Sequence, residues 1–107
     1  MAVTQEILEI TEVIKQVVQA DRIYLFGSHA YGTPGQNSDY DFFVVMPDGG
    51  VSPAEAATSV RRALARMDRL TAVDVLANYR SRFDELTRFS TLERKIERDG
   101  VLLYAAN

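Results

Sequence analysis

Residues 25–41 read LFGSHAYGTPGQNSDYD, a stretch that sets the small-residue turn Gly27-Ser28 against two aspartates, Asp39 and Asp41, across one loop. The apolar run Ile23, Tyr24, Leu25, Phe26 precedes the turn, so a strand is predicted to end where a short helix can begin. Glycine lets backbone come close to a ligand, and the N–H groups at a helix start suit a phosphate oxygen. Asp39 and Asp41 open a second apolar run, Phe42 to Met46, and the two-residue period of a strand puts both carboxylates on one face. Two such carboxylates side by side suit a Mg²⁺ ion that is also held by substrate phosphates.

Working outward, Val3, Ile7, Ile10, Ile14, Val17 and Val18 recur at helical spacing and predict an amphipathic helix over residues 3–19. His29, Ala30 and Tyr31 read as one helical turn, and residues 32–38 are dense in turn formers. The second strand is predicted over 39–46, stopping at Pro47-Asp48-Gly49-Gly50. Ser52 as N-cap, Pro53 at the first helical position and Glu55 at the capping-box position start a helix reaching about Met67. Val60, Leu64 and Met67, with Ala56 and Ala63 beside them, form its core stripe. Arg62, Arg66 and Arg69 line another side, where like charges cost a few tenths of a kcal/mol per pair unless an anion is near.

A third strand is predicted over 71–77, TAVDVLA, with Asp74 in its middle. Ser81 with Asp84 starts a short helix bearing Phe83, Leu86 and Phe89. Ser90 with Glu93 repeats the capping-box pattern for a last helix, with Gly100 at its C′ position. Residues 101–104 form an apolar tail, strand-like or packed on the sheet. The order is a mixed α/β (α+β) one, with a small sheet flanked by helices.

The loop between the first two strands is short, which favours an antiparallel pair with Gly27-Ser28 and Asp39 at one edge. A whole helix joins strands two and three, the usual crossover for parallel neighbours. Asp74 then points from an adjacent strand toward Asp39 and Asp41. A lone carboxylate among Val73, Val75 and Leu76 is costly to bury, and a shared metal offsets that cost. Singly, each feature has a plainer account: Asp-Tyr-Asp after Asn-Ser as turn chemistry, Asp74 as an ion-pair partner of an arginine. Together they favour metal and phosphate chemistry. His29 is the only histidine, so no multi-histidine metal centre can be built, and it reads as a surface or helix-start residue. For Tyr31 and Tyr40, stacking on a nucleobase and ordinary packing both stay open.

The chain has 107 residues with 47% hydrophobic content, enough for one core, and a single domain over 1–107 is expected. A net charge of −3 argues against stable nucleic-acid binding by bulk electrostatics. The charge is uneven, about −5 over residues 1–50 and +2 over 51–107. Glu6, Glu9 and Glu12 near the N-terminus, with no basic segment, speak against a secretory signal, and no apolar run reaches membrane-spanning length. The absence of cysteine excludes disulfides and thiolate metal sites and fits a cytoplasmic location.

The run GSHAYGTPGQNSDYDFFVV together with Asp74 resembles the DNA polymerase beta superfamily of nucleotidyltransferases, whose signature is Gly-Ser, a spacer, Asp-x-Asp, and a later Asp on a neighbouring strand. The small size, the Ala-x-Gly after Gly-Ser, the Ser before Asp39 and the ending IERDGVLLY resemble the stand-alone minimal members, commonly antitoxins paired with a HEPN-domain toxin. Tyr31 departs from that pattern, since many minimal members carry Arg there. The resemblance implies that Gly27 and Ser28 hold the β- and γ-phosphates of a nucleoside triphosphate. It implies that Asp39 and Asp41 bind two Mg²⁺ ions, and that Asp74 completes the first metal site and helps activate the attacking hydroxyl. Two ions about 3.5–4 Å apart can stabilise the entering and leaving oxygens of an in-line displacement. The implied activity is AMP transfer from ATP to a hydroxyl, a tyrosine among the candidates, on a toxin. Two other classes stay open: a nucleotide-binding antitoxin acting by contact alone, and a nucleotidyltransferase acting on a small molecule.

Overall fold

The computed structural model describes residues 3–32, 34–35, 39–69 and 71–106, so positions 33, 36–38 and 70 of the predicted loops lie outside the described residues. The elements run α1 (Gln5–Val17), β1 (Arg22–Phe26), α2 (Ser28–Tyr31), β2 (Tyr40–Met46), α3 (Pro53–Ala65), β3 (Val73–Tyr79), α4 (Arg80–Leu86), α5 (Leu92–Asp99) and β4 (Val101–Ala105). One four-stranded sheet has the order β3-β2-β1-β4. β1 pairs antiparallel with both β2 and β4, and β2 pairs parallel with β3. The pairing directions expected from the loop lengths are the ones found.

Local chemistry explains the helices. Thr4 caps α1 by accepting from the Ile7 N–H at 3.2 Å, and Ile7, Ile10 and Ile14 form its buried stripe. Val3 and Val17 are exposed, contrary to the spacing argument. Val3 precedes the cap, and the extended C-cap residue Val18 takes the last core position in place of Val17. Ser52 caps α3 as expected, accepting from the Glu55 N–H at 3.1 Å, and Ala56, Ala57, Val60 and Leu64 face inward. The arginine row is shorter than expected, because half-buried Arg69 turns back to donate to the Thr71 carbonyl at 3.0 Å.

Two predicted caps move. Ser81 lies inside α4, and its N–H donates to the Asp48 carboxylate at 3.1 Å, so a residue from the loop after β2 serves this helix start. Phe89 lies past the end of α4 and is exposed. Thr91 rather than Ser90 caps α5; it accepts from the Arg94 N–H at 3.1 Å while its hydroxyl donates to the Leu86 carbonyl at 2.6 Å, tying α5 to the end of α4. Gly100 is the C-cap with φ −72°, not a left-handed residue. Its need for glycine is close approach, since a Cβ there would lie 2.6 Å from the Ile96 carbonyl oxygen and 3.1 Å from that of Leu25.

Both faces of the sheet are covered, which is why Phe42 to Met46 is continuously apolar. One face packs Ile23, Leu25, Phe42, Val44 and Val75 against α1 and α3. The other packs Tyr24, Phe43 and Val45 against Phe83 of α4 and Ile96 of α5. Phe83 is fully buried and stacks on Tyr24 at 5.7 Å, burial that contributes roughly 1.5–3 kcal/mol. The β3 strip of this second face stays open, with Asp74 and Leu76 exposed, so the burial cost expected for Asp74 does not arise. No helix among the described residues is long and apolar enough to cross a membrane.

Candidate active site

The site grows from the pairing of three strands at one end of the sheet. Because β2 and β3 run parallel with Asp41 opposite Asp74, the two carboxylates leave the same face from adjacent strands. On the other side Asp41 pairs with Phe26, the last residue of β1, so the chain turns at Gly27 directly beside it. Asp39 precedes β2 by one residue, shares the parity of Asp41 and is exposed.

Gly27 adopts φ +76° as the N-cap of α2, a conformation that L side chains rarely take. A Cβ on it would stand 2.1 Å from Oδ2 of Asp41, so the glycine and the carboxylate are in direct contact. Ala30 and Tyr31 donate their N–H groups to the Gly27 carbonyl at 3.0 and 3.1 Å, closing the single turn of α2, and Gly32 ends it with φ +79°. The turn is thus held rigidly against the first carboxylate of β2.

Electrostatics mark Asp41 as the centre of the cluster. Burial, followed by the charges of Asp74 and Asp39, holds its carboxyl above the usual carboxylate range, while His29 pulls the other way. Among the described residues no group of three or more His, Cys, Asp or Glu side chains is already closed to metal-binding distance. What the three aspartates offer is a set of hard oxygen donors whose mutual repulsion a divalent cation would relieve. That donor chemistry fits Mg²⁺.

The aromatic residues of the loop turn out to be packing residues. Tyr40 is buried in the core under the edge of the His29 ring, with centroids 4.5 Å apart. Tyr31 packs against the same core, and its ring lies under the ammonium of Lys95 at 4.5 Å. Nothing in the sequence pattern singles out Lys95. No spacing rule connects α5 to α2, since only the folded sheet brings them together.

The nucleotidyltransferase domain family model matches residues 7–102, nearly the whole chain. The chain belongs to this nucleotidyltransferase family. No curated protein matches it. Among solved structures, the nucleotidyltransferase fold recurs in a Sulfolobus solfataricus protein assigned as a nucleotidyltransferase, with TM-score 0.62 and 21% identity over 92% of this chain and 76% of that one. A toxin-antitoxin structure with AMP-PNP is similar at TM-score 0.59 and 24% identity, covering 92% of this chain and 73% of that one. A mutant of the toxin-antitoxin MntA-HpeT is similar at TM-score 0.58 and 23% identity, again over 92% and 73%. At these identities the solved structures establish the fold, and the family match establishes the nucleotidyltransferase domain.

Proposed function

We propose that this nucleotidyltransferase is a Mg²⁺-dependent enzyme that moves AMP from ATP to a hydroxyl on a partner protein, and that it serves as the antitoxin of a HEPN-type toxin. The observation that carries the reading is Asp41 facing Asp74 across parallel strands with Gly27 packed on the Asp41 carboxylate. Asp39, Asp41 and Asp74 would hold the metal, and Gly27 and Ser28 would take the distal phosphates. When bound, Mg²⁺ neutralises phosphate charge and stabilises the entering and leaving oxygens. In this reading the acceptor hydroxyl oxygen forms a bond to the α-phosphorus, pyrophosphate departs, and Asp74, exposed and opposite Asp41, would receive the hydroxyl proton. Gly27, which no side chain could replace without displacing Asp41, keeps the phosphate turn and the carboxylates at a fixed separation. The toxin-antitoxin structures among the fold neighbours, one of them with AMP-PNP, support a protein acceptor.

Incubating the protein with Mg²⁺, ATP labelled on the α-phosphate and the candidate toxin tests this directly. The expected result is label on a toxin hydroxyl with stoichiometric pyrophosphate, abolished by chelation. A toxin neutralised without label or pyrophosphate would establish action by contact alone; release of pyrophosphate only with small hydroxylated acceptors would establish a small-molecule enzyme.

A further inference from the structure

The loop that would carry the triphosphate, residues 25–41, contains no lysine or arginine, and its one basic-capable residue is His29. A triphosphate brings several negative charges into a site already holding Asp39, Asp41 and Asp74. A protein cation beyond the metal would have to come from another element.

α5 supplies one. Ile96 buries the helix on the second face of the sheet, and Gly100 fixes its C-terminal end against the Leu25 carbonyl, two residues before Gly27. This puts the last turns of α5 at the same end of the sheet as the candidate active site. Lys95 reaches from there to α2, with Nζ 4.5 Å from the centroid of the Tyr31 ring. Tyr31 is half-buried and packed on the core, so its ring is a fixed platform for the ammonium. The Lys95 side chain remains 51% exposed, and its carboxylate partner, Asp99, stands at a long 3.4 Å. A cavity of about 290 Å³, lined by Ser90, Thr91, Arg94, Lys95 and Arg98, adds two further cations beside it. Arg98 pairs with the same Asp99 at 3.2 Å, and the ammonium of Lys95 is the cation seen on a ring of α2.

We infer that Lys95, seated on the Tyr31 ring, is the residue that binds the β- and γ-phosphates of the nucleotide from the α5 side. The inference rests on the nucleotide-binding reading above and adds to it a phosphate-binding residue outside the turn. An ammonium that recognises only the distal phosphates contributes to triphosphate affinity and not to monophosphate affinity.

The test is a titration of wild type, Lys95→Met and Lys95→Arg with ATP and, separately, with AMP, in Mg²⁺ and without acceptor. Loss of one charge-assisted contact predicts about tenfold weaker ATP binding for Lys95→Met, unchanged AMP binding, and recovery of most ATP affinity by Lys95→Arg. Thermal melts confirm that the methionine variant is folded, as the exposure of the side chain leads one to expect. Lys95→Met binding ATP like wild type would overturn the inference, and so would equal losses for ATP and AMP, which describe a structural role. A wild-type protein that binds no ATP would overturn the nucleotide-binding reading itself, and this inference with it.

Discussion

At the scale of single residues, the site is defined by a steric fact and an electrostatic one. Gly27 combines φ +76° with a neighbouring carboxylate oxygen where its Cβ would be, so Gly27→Ala must strain the backbone and push Asp41 aside. With ψ −162°, Gly27 lies in a positive-φ region that is essentially confined to glycine, and an L residue there costs on the order of 1–3 kcal/mol. The expected outcome is a loss of at least about that size in denaturant titrations, with transfer activity falling with it. Asp41→Asn should act in the opposite direction on stability. Burial and the charges of Asp74 and Asp39 raise the Asp41 carboxyl from its usual 3.8, so the stability linked to its proton is fully present below 3.8 and lost as pH rises through the folded value. Without metal at neutral pH, the asparagine variant should therefore melt no lower than wild type while transferring nucleotide at least about 100-fold more slowly. A variant that melts markedly lower would show that Asp41 is held by structural partners rather than repelled by its neighbours.

At the scale of elements, the sequence was legible where periodicity and connection length decide the outcome. Asp74 could be placed beside Asp41 because a strand–helix–strand crossover makes the strands parallel, and both aspartates sit at the same depth in their strands. The helix ends were less legible, because a cap is chosen by what surrounds it. Thr91 takes the cap from Ser90 because its hydroxyl also reaches Leu86, and α4 starts on Asp48, a residue from a distant loop. Gly100 reads as a helix stop, yet its place in the fold is set by the Leu25 carbonyl beside it. The Asp48 contact gives a pH-dependent prediction. The Ser81 backbone N–H, then the Ser81 side chain, lowers the Asp48 carboxyl below its usual 3.8. The stability it contributes is present above 3.8 and lost as pH falls through the lower folded value. Amide exchange at the start of α4 should accelerate in that acid range, once corrected for intrinsic rates. Asp48→Ala should show the faster exchange already at neutral pH and converge with wild type in the acid range, and equal protection in the two at neutral pH would remove the cap from the account.

At the scale of the whole molecule, charge and topology together bear on where the proposed protein acceptor would approach. The residues up to 50 carry about −5 and those beyond carry about +2. The crossover through α3 returns the chain to the start of β3, so the C-terminal turn of α3 comes back to the end of the sheet that holds Asp41 and Asp74. Arg62 and Arg66 stand exposed there, opposite the buried row of Ala56, Ala57, Val60 and Leu64, while Arg69 is withdrawn by its bond to Thr71. Two like charges one helical turn apart repel in the isolated protein, and an acidic partner would turn that repulsion into attraction. Rim charges of this kind act mainly on the rate of encounter and make it salt-dependent. Reversing both, Arg62→Glu with Arg66→Glu, should slow association with the proposed toxin by roughly tenfold at low ionic strength and by less as salt is added. ATP affinity should stay unchanged, because α3 covers the face of the sheet opposite the one from which Asp41 and Asp74 project. Association rates insensitive to both the reversal and the salt would move the docking surface away from α3, most directly to the basic side of α5, where Arg94 and Arg98 flank Lys95.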